Sequence, residues 1–251
     1  LPDFNFYQKI FSFYFYFFGL ISIFISKKNV VLSKDYFENI FFHKFFLKNV
    51  VEIPPYVKDQ NNKKLNPIKK NNSDVLKIGY LGRICEEKGL ENLILASELL
   101  EKRKIKHKMI IAGDLEDKRF EKYIKKVLLR SKENSNIRFV GKIEEKNKSE
   151  FYQFLNVFAL PSVNSFEAFG IVQLEAMSYG VPVVASNIKG VRSVIKKTNN
   201  GLLFQKNNVK DLVEKLLFIR NNNNLNSDKI IEKVNLNFSK ECFDKKILKL
   251  F

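Results

Sequence analysis

The sequence predicts an α/β domain built on a doubly wound parallel sheet, preceded by part of a smaller strand-containing unit. Two observations carry this expectation. From Val75 onward, short strand-like runs alternate with stretches of helical period, a pattern that implies parallel pairing through right-handed crossovers. The chain has 251 residues, 45% of them hydrophobic and 28% charged, which suits a folded chain of one large or two modest domains.

The elements follow in order. Ile10 to Ile25 is a continuous apolar run closed by Ser26-Lys27-Lys28. It is short of the roughly 20 residues that a membrane span needs, so it reads as a buried or membrane-surface helix. No small-residue cleavage site follows, which argues against a signal peptide. Val30 to Ser33 reads as a short strand, and Val50 to Pro55 as another, ended by prolines that cannot continue a ladder. Lys58 to Asp74 is rich in Asn, Lys and Asp without apolar periodicity and reads as a linker. Strands are then expected at Leu76–Leu81, Lys108–Ala112, Ile137–Val140, Val157–Leu160, Val181–Ala185 and Gly201–Phe204. Helices are expected at Gly89–Lys104, Lys118–Ser131, Lys146–Leu155, Ile171–Tyr179 and Val209–Asn221. The division is therefore residues 1–57 for a partial first domain, 58–74 for the linker, 75–237 for the main domain and 238–251 for a C-terminal helix.

Composition narrows the function classes. The formal net charge is +17, a balance that attracts anionic partners. The lysines are spread along the chain, however, and read as a solvated basic surface. Without an RNA-recognition signature, zinc-finger spacing or basic-region heptad, specific nucleic-acid binding is disfavoured. Cys85 and Cys242 form no C-x-x-C pair, which fits a reducing cytoplasm. His43 and His107 are too few for a multi-histidine metal site.

In doubly wound sheets ligands gather at the carboxyl ends of strands, so the loops there carry the chemistry. The first, Gly79 to Gly89, contains Gly82, which lets the backbone approach a ligand. Arg83 offers a planar fork for phosphate oxygens and Lys88 a mobile point charge. Taken alone, it reads equally as a strand–turn–helix with two surface cations, and it lacks the spacing of a P-loop. Ala112-Gly113-Asp114 reads as a structural turn with Asp114 as a cap. The third loop runs from Leu160-Pro161-Ser162 through Glu167-Ala168-Phe169-Gly170-Ile171 to Glu175. A helix starting near Gly170 would offer free N–H groups from Phe169 to Ile171 and a positive pole to an anion. Glu167 would precede it, and Glu175 would lie about 7 Å along its axis, a span comparable to a nucleoside plus phosphate. The bland alternative is an acidic residue at a helix start followed by a Glu with a salt-bridge partner.

Together these residues resemble the GT-B glycosyltransferases of family 4, the group 1 glycosyltransferases. The shared markers are Gly82-Arg83 with Lys88-Gly89, Pro161-Ser162 with Glu167 and Phe169-Gly170, and Glu175-Ala176-Met177 with Gly180 and Pro182 to Ala185. The resemblance covers roughly Lys77 to Arg220 and implies a Rossmann-like C-terminal domain of the GT-B fold. It also implies a nucleotide-sugar donor such as a UDP- or GDP-sugar, transfer with retention, and no metal or other cofactor. On this reading Arg83 and Lys88 hold the donor diphosphate as it leaves, and Glu167 binds sugar hydroxyls. The amides around Phe169, Gly170 and Ile171 meet phosphate, Glu175 meets the ribose, and Lys142 and Ile143 lie near the base.

Two departures stand out. Ser193 replaces a Glu that the family often carries after Lys189-Gly190-Val191-Arg192. Residues Leu1 to about Tyr56 resemble only the last part of the family's first Rossmann-like domain. The chain is thus expected to be a fragment, or to be completed by another polypeptide. A non-catalytic nucleotide-sugar-binding subunit is the alternative to a transferase. Peripheral contact of the Phe-rich segment with an anionic membrane is compatible with either. The acceptor, lipid-linked or a cell-surface glycan in many relatives, is not readable.

Overall fold

In a computed structural model, the described residues are 6–39, 44, 49–57, 74–164, 166–222 and 226–250. Two parallel sheets organise them, one of two strands and one of six.

The first unit opens with helix α1 (Phe6–Ile25), which contains the predicted apolar run and begins four residues before it. Its Phe11, Phe13, Phe17, Phe18 and Phe24 side chains are exposed, so of the two expected readings, buried or membrane-surface, the buried one is not met. No helix among the described residues is long and apolar enough to cross a membrane. Strand β1 (Asn29–Val31) pairs in parallel with β2 (Val50–Glu52), Asn29 opposite Val50. The predicted strand ran on to Ser33, but the Ser33 side chain instead caps the short helix α2 (Lys34–Phe37), accepting from Tyr36 N. A cap of this kind takes up a helix-start N–H that would otherwise lack a partner. Residues 58–73 of the predicted linker lie outside the described residues; Asp74 pairs with Arg220 at 2.7 Å.

The second unit runs β3 (Leu76–Leu81), α3 (Leu90–Lys102), β4 (His107–Ala112), α4 (Glu121–Ser131), β5 (Ile137–Gly141) and α5 (Lys148–Phe154). It continues through β6 (Val157–Leu160), α6 (Ile171–Ser178), β7 (Val183–Ser186), α7 (Val191–Thr198), β8 (Gly201–Phe204) and α8 (Val209–Asn221). Helices α9 (Ser227–Phe238) and α10 (Lys240–Leu248) close the chain. The strand order β5-β4-β3-β6-β7-β8 is parallel throughout. This is the doubly wound arrangement that the alternation predicted.

Burial explains why the central strand β6 reads as an unbroken apolar run. Along β6, Val157 and Ala159 join the core cluster of Ile78, Leu93, Ile111 and Leu216, while Phe158 and Leu160 join that of Leu174, Met177, Val183 and Phe238. Alternate side chains point to opposite faces, and helices cover both faces. Strand β6 is therefore apolar at every position, whereas β3, β4 and the edge strand β5 admit Lys77, Lys108 and Arg138.

Several bounds moved for local reasons. The strand expected from Val181 starts at Val183, because Val181 N closes α6 on Ala176 O and Pro182 has no N–H to give. The helices expected from Lys118 and Lys146 begin as single 3-10 turns, Lys118–Phe120 and Glu145–Asn147. Helices α7 and α9 were not foreseen; the helix expected over 238–251 is α10, which starts at Lys240 because Ser239 caps it by accepting from Cys242 N.

Candidate functional site

The sheet order decides where a ligand can sit. From the neighbouring strands β3 and β6 the chain winds in opposite directions, so the loops after Leu81 and Leu160 part and leave a crevice. Those loops hold most of the residues singled out in the sequence. The Val163 N–H donates to Glu87 O at 2.9 Å and ties one loop to the other.

A pocket of about 300 Å³ lies in the crevice, lined by Gly82, Lys88, Glu167, Phe169, Gly170 and Ile171 among others. Lys88 is in the 3-10 turn Glu86–Lys88, and its Nζ donates to Glu167 Oε2; the two side chains are only 14% and 13% exposed. Ser162 Oγ donates to the same carboxylate oxygen at 3.3 Å. The pair is thus largely desolvated, and each charge depends on the other. Phe169 contributes backbone only, because its ring is buried edge-on against Phe238 at 6.0 Å. Gly170, at φ 74°, turns the loop into α6, and no side chain caps that helix start. The first N–H groups of α6 are therefore available to an anion at the pocket wall.

A second pocket of about 240 Å³ lies along α6, lined by Tyr56, Glu145, Lys148, Glu175 and Tyr179, and again by Ile171. Ile171 is common to both, so the two pockets adjoin at the start of the helix. Glu175 Oε1 accepts from Lys148 Nζ at 3.1 Å and Oε2 from the Tyr152 hydroxyl at 3.0 Å. The salt-bridge partner of the bland alternative is thus present. A carboxylate has about four acceptor positions, so two remain for a ligand. Burial works against the Lys148 ammonium, but the Glu145 and Glu175 carboxylates outweigh it and hold its pKa above the ordinary value. Burial first, and then the Glu175 charge, push the Tyr152 phenol well up, so it stays a donor.

Other sequence candidates stand apart. Arg83 is half exposed, bonds Glu87 at 2.6 Å and lies over the Phe120 ring; its side chain lines neither pocket. Lys142, expected near the base, is 71% exposed and pairs with Asp114 at 2.8 Å, while Ile143 packs on the core. Neither lines a pocket. Sequence reasoning missed Lys148, Tyr152 and Ser162. The first two stand one helical turn apart on α5, a spacing that places them on one face and could have paired them with Glu175.

This parallel sheet with adjoining pockets at its strand ends defines a Rossmann-like α/β domain. Residues 61–234 match the sequence profile of the family described as glycosyl transferases group 1, and the chain belongs to that family. An uncharacterized glycosyltransferase from Methanocaldococcus jannaschii is 33% identical over 124 residues, 49% of this chain and 30% of that protein. The capsular polysaccharide biosynthesis glycosyltransferase CapM of Staphylococcus aureus is 28% identical over 165 residues, 66% of this chain and 42% of CapM. The chain thus spans less than half the length of these two relatives. Among solved structures, Staphylococcus aureus TarM with UDP superposes with TM-score 0.71 at 24% identity, over 91% of this chain and 44% of TarM. Anabaena HepE with UDP and glucose gives 0.71 at 14% identity, over 91% and 64%. At these identities the structures establish the GT-B-like fold.

Proposed function

We propose that this chain is the donor-binding part of a glycosyltransferase that transfers a sugar from a UDP- or GDP-sugar, with retention, to a glycan or lipid-linked acceptor. The observation that carries the reading is the pair of adjoining pockets, with Lys88 and Glu167 in one, Glu175 in the other and the open start of α6 between them. A nucleotide sugar has the same order of groups: sugar, diphosphate, ribose. The diphosphate would sit on the first N–H groups of α6 and draw Lys88 from Glu167, as its charge exceeds that of one carboxylate. Glu167, released, would accept from sugar hydroxyls, and Glu175 from the ribose diol. Lys88 would also stabilise the charge that grows on the diphosphate as its bond to the anomeric carbon breaks, which is electrostatic work that needs no metal. Arg83 would join it only by leaving Glu87. UDP in TarM and HepE structures and the capsular role in the name CapM support the donor and acceptor classes.

Equilibrium binding of UDP- and GDP-sugars to the intact chain tests this. Saturable binding should weaken about 10- to 100-fold in Lys88→Ala, the cost of about 1.5–3 kcal/mol for a lost charged hydrogen bond. Folded protein that binds no nucleotide sugar would remove the basis for the reading. A non-catalytic nucleotide-sugar-binding subunit is the alternative reading. Sugar transfer by the isolated chain would eliminate it.

A further inference from the structure

The turn that precedes α7 touches both units of the protein. On one side it grips α2. Gly190 N donates to Asp35 Oδ2 at 2.7 Å, and Arg192 holds the same carboxylate through Nε at 2.9 and 3.0 Å and through Nη2 at 2.6 Å. Lys189 Nζ donates to Glu38 O at 3.1 Å, at the other end of that helix. On the opposite side the turn is pressed against the segment after Glu167. A Cβ on Gly190 would overlap the Ala168 carbonyl oxygen and stand 3.1 Å from the Tyr36 ring. Gln173, fully buried, donates its one amide nitrogen to Phe169 O at 2.7 Å and to Val191 O at 3.0 Å, stitching the same two segments together from beneath.

The chain of contacts is therefore continuous: Asp35 to Gly190 and Arg192, Gly190 to Ala168, and Ala168 to its neighbour Glu167. The direct side-chain contacts of Glu167, Lys88 and Ser162, come from the β3 and β6 loops. The turn supports its backbone from elsewhere. We infer that Asp35 is a positioning residue for Glu167. By seating the Lys189–Arg192 turn against Ala168, it fixes the carboxylate that faces the donor sugar and makes sugar recognition depend on docking of the first unit. The inference rests on the donor-site reading above. It would give the first unit a part in donor selection.

The test uses the intact chain with Asp35→Asn and, as a milder second variant, Arg192→Lys. One measurement needs no ligand: amide hydrogen exchange of the free protein. Exchange should rise in residues 166–173 and stay unchanged in β3. The other compares UDP with UDP-glucose and UDP-N-acetylglucosamine, and GDP with GDP-mannose. Asp35→Asn should leave the Kd of the free diphosphate within about twofold and weaken the sugar conjugate about 5- to 10-fold, the size of one lost hydrogen bond. Arg192→Lys should move both readouts the same way by less. Unchanged exchange in 166–173 overturns the inference. So does equal weakening of diphosphate and conjugate, which would mean general loosening. If wild-type protein binds no conjugate while the exchange result holds, the donor-site reading is what fails, and the sugar role of Asp35 falls with it.

Discussion

Gly190→Ala perturbs the turn from both sides at once, and its cost can be worked from the coordinates. Gly190 has φ 89° and ψ −61°, a conformation that residues with a side chain rarely adopt. Forcing alanine into it costs about 1–3 kcal/mol. The added Cβ would also overlap the Ala168 carbonyl and stand 2.9 Å from its carbon, which are backbone atoms that cannot rotate away. Overpacking of this kind adds about 1–3 kcal/mol. The total of about 2–6 kcal/mol corresponds to a fall in Tm of about 4–24 °C for a protein of this size. Gly141→Ala separates the two contributions, because Gly141 has φ 73° but nothing within 4 Å of the added Cβ. It should cost only the backbone part, about 1–2 kcal/mol. Thermal unfolding followed by circular dichroism measures both variants. If Gly190→Ala melts within the shift produced by Gly141→Ala, the close approach of the turn to Ala168 is wrong.

Further predictions concern the pockets and the interface between the units. Tyr152→Phe removes the hydroxyl that donates to Glu175 and should weaken nucleotide binding by about fivefold, near 1 kcal/mol, as read by titration calorimetry. Arg83→Ala should weaken nucleotide-sugar binding less than Lys88→Ala, because Arg83 is paired with Glu87 outside both pockets; an equal or larger loss would show that Arg83 moves inward on binding. Burial raises the Asp35 pKa, but the Arg192 guanidinium and the Gly190 N–H outweigh it and hold the carboxyl below its usual value. A depressed folded pKa stabilises above the unfolded value, about 3.9, and that contribution is lost as pH falls through the folded pKa. The Tm gap between wild type and Asp35→Asn should therefore be constant from pH 7 to 5 and shrink below pH 4, as followed by differential scanning calorimetry.

The six-stranded sheet was legible because its strands are short, mostly apolar runs and five of the six are followed by a recognisable helical stretch. The loops of the crevice were legible too, since Lys88, Glu167 and Gly170 stand in loops between strand ends and helix starts, with Glu175 one turn into the helix that follows. What the sequence hid were contacts across distance. Arg192 meets Asp35 from 157 residues away, and no spacing rule reports such a pair. Helix α7 was missed because its eight residues, between Gly190 and Asn199, are too short a window for a helical period to stand out. Arg83 was placed by its loop and its guanidinium fork and Lys142 by motif position, but neither shows which way the side chain points: here Arg83 pairs with Glu87 and Lys142 with Asp114. The aromatic run of α1 read as either a buried or a membrane-surface helix, because apolar composition alone does not reveal whether an element has something to pack against.

A crystal structure of the chain with its tightest-binding nucleotide sugar tests the central claim most directly. The account predicts the sugar beside Glu167, the diphosphate at the start of α6 with Lys88 turned toward it, and the ribose on Glu175, with the ligand passing over Ile171. A nucleotide sugar bound away from Ile171, or one lying in the crevice with Lys88 still paired to Glu167, would contradict it.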